Sequence, residues 1–215
     1  MTGPEPGEPK VHTPQVPLES VLDDIDEIVA RAGDAPMSLA ELETALRGRG
    51  AAILILVLSI PFIIPIPIPF LALAFCMPMM AMGLRIAWAR DGRLPDFARR
   101  RSLRPETLRA IAKGLRRVLR PIAWLFRPRF EAMFWPLPWR LTGVSICLGA
   151  LVLSLPLPIP LANLIPAIGL IHLAAGLLQR DGAAICVGHI FTIGGWVYLI
   201  LVWNKAMELL WRIFT

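Results

Sequence analysis

Charge is what this sequence withholds. Ala51 to Met82 contains no charged residue, and neither does Leu141 to Gln179 or Ala183 to Asn204. Of the 215 residues, 18% are charged and 56% hydrophobic, whereas soluble domains carry about 25% charge. Uncharged apolar runs of about 20 residues match the ~30 Å hydrocarbon core of a bilayer. The shortage excludes an ordinary soluble domain and predicts an all-α integral membrane protein.

Reactive groups are also scarce. There are three cysteines, Cys76, Cys147 and Cys186, all within apolar runs and without C-x-x-C spacing. An odd number of such thiols fits neither a disulfide framework nor a metal site. The apolar runs contain no carboxylate, no paired Cys/His ligands and no G-x-S-x-G. No catalytic residue, metal or cofactor is therefore expected, and the chain is not expected to be an enzyme. The first 50 residues lack the apolar core of a secretory signal, so the N-terminus is expected in the cytoplasm.

The charge that is present is unevenly placed, with a net of +6. Met1 to Ala45 holds ten acids (Glu5, Glu8, Glu19, Asp23, Asp24, Asp26, Glu27, Asp34, Glu41, Glu43) against Lys10 and Arg31. Arg90 to Arg129 is strongly basic, with Asp91, Asp96 and Glu106 its only acids. Because apolar runs bracket that basic segment, anionic lipid headgroups are the expected partner and nucleic acid is not.

Apolar periodicity divides the chain further. Residues 1–18 read as a disordered tail rich in proline and glycine. Residues 19–50 read as cytoplasmic amphipathic helices, the second opened by a capping box of Ser38 and Glu41 and closed by Gly48 and Gly50. Residues 51–92 and 140–182 form two membrane units. A basic linker, 93–139, joins them, and 183–215 supply a final transmembrane helix and a short amphipathic tail. Within the linker, Leu108, Ile111, Ala112, Leu115, Val118, Leu119 and Ile122 make one apolar face, opposite Arg109, Lys113, Arg116, Arg117 and Arg120. Two placements fit this helix: in the plane of the membrane interface, or packed on the N-terminal helices.

Proline stands where a helix tolerates it least, removing an N–H donor and costing ~3 kcal/mol in a helix interior. The first unit carries Pro65-x-Pro67-x-Pro69 and later Arg90-Asp91-Gly92; the second carries Pro156-x-Pro158-x-Pro160 and later Arg180-Asp181-Gly182. Triplet, spacing and R-D-G ending agree, so the units read as an internal repeat of Pro-broken helical hairpins. The second helices are expected to start at Phe70 and Leu161, their first N–H groups facing the break. Paired broken helices in matching repeats point to a substrate site. Inverted copies would set two helix starts around an anion at the midplane. Alternatively, each unit enters and returns on one side, with P-x-P as a turn near the far surface, which gathers the flanking arginines on a single face.

The candidate substrate-binding residues are Pro65, Pro67, Pro69, Phe70, Pro156, Pro158, Pro160, Leu161, Asn163 and His172. Asn163 stands in the first turn of the second unit's outgoing helix, to bind substrate or satisfy freed carbonyls. His172, and more weakly His189, are ionisable groups within an apolar run, fit for a site or for a bond between helices. Arg90, Asp91, Arg180 and Asp181 are candidates for ion pairs across the repeat, or simply for helix termini. Ser59, Thr142, Ser145 and Ser154 suit hydrogen bonds that hold helices together.

Four stretches carry a resemblance: LRGRGAAILILVLSIPFIIPIPIP, PRF at Pro128 to Phe130, LPLPIPLANLIPA and GLLQRDG. Together they resemble the ExoD family of bacterial membrane proteins, over roughly Ser38 to Val202. The first unit departs from the family pattern: it is richer in proline and has no Asn matching Asn163. The resemblance implies a bacterial inner membrane and a link to exopolysaccharide synthesis and alkaline tolerance, and it implies no established enzymatic activity. The expected function is a small transporter of an anion or a lipid-linked (polyprenyl) phosphate, working as a homo-oligomer. A non-transporting accessory protein of the polysaccharide machinery, or a lipid-processing enzyme, are the alternatives.

Overall fold

Apolar residues three and four apart wind the first helix, α1 (Leu18–Ala32), and bury Ile25 and Ile28. The computed structural model describes residues 18–45, 49–63, 69–89, 99–120, 129–155 and 162–214. Gly33 ends α1 in a left-handed conformation, φ 53°, that glycine adopts without strain. Strand β1 (Met37–Ser38) leads into α2 (Leu39–Ala45) through the expected capping box. The Glu41 carboxylate accepts from the Ser38 amide at 2.8 Å, and the Ser38 hydroxyl accepts from the Glu41 amide at 3.2 Å. Antiparallel to β1 runs β2 (Ser102–Leu103), pairing Met37 with Leu103.

Helix α5 (Pro105–Leu119) begins with proline at its first turn, where no N–H is missed. Its apolar face, with Leu108, Ala112 and Leu115 buried, packs along α1. Ion pairs from Arg109 to Asp34 at 2.8 Å and from Arg116 to Asp26 flank the contact. Of the two placements that fit the sequence, the described structure has this helix on the N-terminal unit. Each amphipathic stripe covers the other, and acids of one face bases of the other.

Five apolar helices build the rest: α3 (Gly50–Ser59), continued by a 3₁₀ turn at Ile60–Ile63, α4 (Pro69–Ala89), α6 (Pro136–Ser154), α7 (Leu164–Gln179) and α8 (Gly182–Phe214). Helices α3 and α4 form an antiparallel hairpin, with Phe62 edge-on to Phe75 at 6.3 Å and the Ser59 hydroxyl 3.6 Å from Met79 Sδ. Helices α6 and α7 form a second, in which Gly149 lies against Leu170. The incoming helix of each hairpin also packs on the outgoing helix of the other, α3 on α7 and α6 on α4.

The α4–α6 seam is the tightest. A Cβ on Gly83 would sit 2.8 Å from the Gly143 carbonyl oxygen, and one on Gly143 would run into the Ala87 backbone. Small residues here let the backbones approach closely. Ala87 against Gly143 and Gly83 against Cys147 fix the two helices antiparallel. The ends at Pro69 and Ser154 therefore lie at the same end of the bundle. Inverted copies, one of the two expected arrangements, would have entered from opposite sides, so the side-by-side seam corrects that reading in favour of hairpins that share a direction.

Several boundaries differ from expectation. Helix α4 begins at Pro69 rather than Phe70, and α7 at Leu164 rather than Leu161, after a turn at Ala162 and Asn163. Gly50 opens α3 instead of closing α2, because the next apolar run propagates back to it. The last span and the C-terminal tail are one continuous helix, since nothing between Trp203 and Lys205 breaks it.

Among the described residues, two helical stretches are long and apolar enough to cross a bilayer, Pro136–Ser154 and Gly182–Lys205. Both turn apolar stripes outward: Leu137, Leu141, Val144, Leu148 and Leu151 on α6, and Ile190, Ile193, Val197 and Ile200 on α8. Leu73, Met77, Leu84 and Trp88 do the same on α4. Exposed apolar surface of this extent marks contact with lipid or another chain.

Candidate functional site

The breaks predicted to hold the site flank the ends of α4, α6 and α7. Pro65, Pro67, Pro156, Pro158, Pro160 and Leu161 lie outside the described residues, as do Arg90 and Asp91. Pro69 and Phe70 form the first turn of α4. Asn163 takes the cap position of α7, and its carbonyl accepts the Ala167 amide at 3.1 Å. Its side chain caps nothing, and Oδ1 is buried without a hydrogen-bond partner. A buried carbonyl oxygen so placed seeks an N–H or O–H from outside the described residues.

Helix α8 works as a ruler for the depth of this end. Gly195 lies against Pro166, so the start of α7 at Leu164 stands near Val197. The apolar run of α8 continues to Trp203, about 9 Å further along a helix. Helix α7, with 16 residues, is ~24 Å long and falls short of the ~30 Å core.

His172 is not part of that end. Nine residues along the chain, it stands ~13 Å below Asn163. Its Nδ1 is 2.8 Å from the Ile168 carbonyl oxygen, and its ring stacks on Phe191 at 5.9 Å. His189 bonds the Ser145 hydroxyl at 2.7 Å and ties α8 to α6. Ser59, Thr142 and Ser154 donate to carbonyls of their own helices, at 2.7, 3.0 and 2.7 Å. Ser145–His189, the His172–Phe191 stack and Ser59 against Met79 thus join helices, whereas the bonds donated by Thr142 and Ser154 stay within their own helix.

The opposite end gathers what the sequence kept apart. Arg180, at φ 54°, ends α7, and the Asp181 amide returns to the Gly176 carbonyl at 2.9 Å. Asp181 is wholly buried. Its Oδ1 accepts from Arg129 Nε at 3.0 Å and from the amides of Ala183 and Ala184 at 3.0 and 3.3 Å, so one carboxylate both pairs with a guanidinium and caps α8. The Gly182 amide donates to the Arg129 carbonyl at 2.8 Å, and a side chain at Gly182 would strike the Phe130 carbonyl. Arg129-Phe130 is thus clamped onto the Arg180-Asp181-Gly182 turn. Asp181 pairs with Arg129 of the linker, and the Arg180 guanidinium lies 5.2 Å above the Phe134 ring; Arg90 and Asp91, the other residues of the expected ion pairs, lie outside the described residues. The left-handed residue that ends α7 is Arg180 and not the glycine, which instead opens α8. Sequence spacing carried no signal for Arg129, 52 residues from its partner; only its place in the PRF stretch marked it.

Comparison with known proteins fits this picture. The family described as "Exopolysaccharide synthesis, ExoD" matches residues 18–201. Protein ExoD of Rhizobium meliloti (strain 1021) is 35% identical over 68 residues, which is 31% of this chain and 28% of that protein. The aligned stretch therefore spans well under two thirds of that relative. No solved structure matches the chain.

Proposed function

Since the chain belongs to the ExoD exopolysaccharide-synthesis family, we propose that it is a multi-pass inner-membrane protein that carries a small anion or lipid-linked phosphate for that synthesis. The described ends that flank the two proline-rich stretches, at Pro69, Ser154 and Leu164, lie at the end of the bundle away from the Arg180-Asp181 turn. The observation that carries this reading is the depth of that end, about 9 Å inside the apolar run of α8. Irregular backbone at such a depth must line protein or water, and Asn163 Oδ1 is buried there without a partner. The outward apolar stripes supply the lipid-facing surface. The test is flux in liposomes holding the purified full chain: phosphate or polyprenyl phosphate should cross faster than in empty liposomes, and Asn163→Ala should slow it several-fold. Absence of flux in folded, correctly inserted protein would sink transport.

A second reading, a non-transporting accessory protein of polysaccharide synthesis, is favoured by one feature. The glycine seam between α4 and α6 brings backbone against backbone, which leaves no path along that contact. Loss of polysaccharide in cells bearing Gly143→Val, with no flux in the wild type, is the outcome expected of an accessory protein.

A further inference from the structure

At the end of the bundle away from the proline tips, two buried N–H groups lack an acceptor among the described residues. Gln179 is 4% exposed and its Nε2 has no partner; Trp139 Nε1 is likewise buried and unpartnered. Register puts the two at the same level of the bundle. Gly149 against Leu170 sets α6 and α7 antiparallel, which brings Trp139 level with the end of α7. Phe134 confirms the juxtaposition, with its ring 6.1 Å from Trp139 and 5.2 Å beneath the Arg180 guanidinium.

We propose that this junction of Trp139, Gln179 and Arg180 binds an oxyanion, a phosphate group in particular, on the basic face of the protein. Buried donors are nearly always matched to acceptors, and leaving them unmatched is costly. Oδ1 of Asp181, next along the chain from Arg180, already accepts from Arg129 and two amides of α8. An acceptor with more than one oxygen would answer both donors, and Arg140, exposed in the first turns of α6 beside Trp139, adds positive charge there. A phosphate has that chemistry, whether as a free ion or as an anionic lipid headgroup at a basic membrane face. The site stands on its own geometry and does not depend on the reading of the tips.

The experiment uses the full chain with two phosphate sources. In detergent, the unfolding midpoint is followed against inorganic phosphate, with chloride at equal ionic strength as the control. In nanodiscs, phosphatidylcholine alone is compared with phosphatidylcholine plus phosphatidylglycerol. A saturable rise is expected from at least one source, and which source produces it separates free phosphate from headgroup. Gln179→Leu and Trp139→Phe each remove a donor and should weaken the response at least about tenfold. Gln179→Glu places a carboxylate against Trp139 and should abolish the response while the protein stays folded, so it decides the matter if the other two variants do not fold. Asn163→Ala assigns the remainder: a response that survives it but is lost in Gln179→Leu belongs to this junction. The proposal is overturned if the folded wild type shows no saturable response to either source, if all three junction variants respond as wild type (a buried water alone), or if only Asn163→Ala removes the response.

Discussion

Asp181 shows how much one side chain is asked to do. Its carboxylate collects a guanidinium and two helix-start amides in a fully buried position. Asp181→Ala removes the α8 cap and the ion pair with Arg129 together, and should cost about 2–4 kcal/mol. Arg129→Ala should cost less, since the cap survives. Equal losses in denaturant unfolding would mean the cap contributes nothing. Glycines give a second contrast. Gly143→Val drives a side chain into the Ala87 backbone and should destabilise by about 1–3 kcal/mol or more. Gly194→Ala meets nothing within 4 Å and should be neutral or gain up to about 1 kcal/mol of helix propensity. The same unfolding measurement decides between them. At Glu41, hydrogen bonds from the Ser38 amide and then its hydroxyl hold the carboxyl below its ordinary value of 4.5. A carboxyl lowered by folding stabilises α2 fully above that ordinary value, and the contribution fades as pH falls through the lower folded one. The protection of α2 amides, taken relative to their intrinsic exchange rate at each pH, should therefore fall on acidification in the wild type and lose that part of its pH dependence in Glu41→Gln.

At the scale of the element, the amphipathic stripes divide into two kinds. The stripe of α5 is consumed by α1, and this was one of two placements open from periodicity alone. Helical spacing tells which residues share a face; it does not tell whether lipid or another helix covers it. The complementary acids of α1, Asp26 and Asp34, decided that. The stripes of α6 and α8 remain outward. Leu148→Arg on α6 should therefore impair membrane insertion by about 2.5–3.5 kcal/mol, read as the inserted fraction in a glycosylation-mapping assay. The buried Leu170→Ala on α7 should instead insert normally and unfold more easily, by about 2–5 kcal/mol. Equal insertion of wild type and Leu148→Arg would show that this face meets protein rather than lipid.

For the whole molecule, the decisive prediction concerns sidedness. With Cys76, Cys147 and Cys186 replaced, single cysteines at Ile66, Ile68, Leu157 and Ile159 should all react with impermeant thiol reagents from one and the same side. A cysteine replacing Ala183, beside the Asp181 turn, should react only from the other. Labelling of the two tips from opposite sides would restore inverted copies. Helix content, the long uncharged runs, the capping box and the family were all legible in the amino-acid sequence, because they rest on composition, periodicity and local spacing. A close backbone approach at Gly83 and Gly143, or an ion pair spanning 52 residues, leaves no periodic trace. Such contacts fix which helices are neighbours and which way they run. The sequence by itself determined that this chain makes apolar helices interrupted by proline. Tertiary packing alone decided that the hairpins share a direction, that Arg129 of the linker reaches Asp181, and that Trp139 lies level with the end of α7, because each depends on residues brought together only when the helices dock.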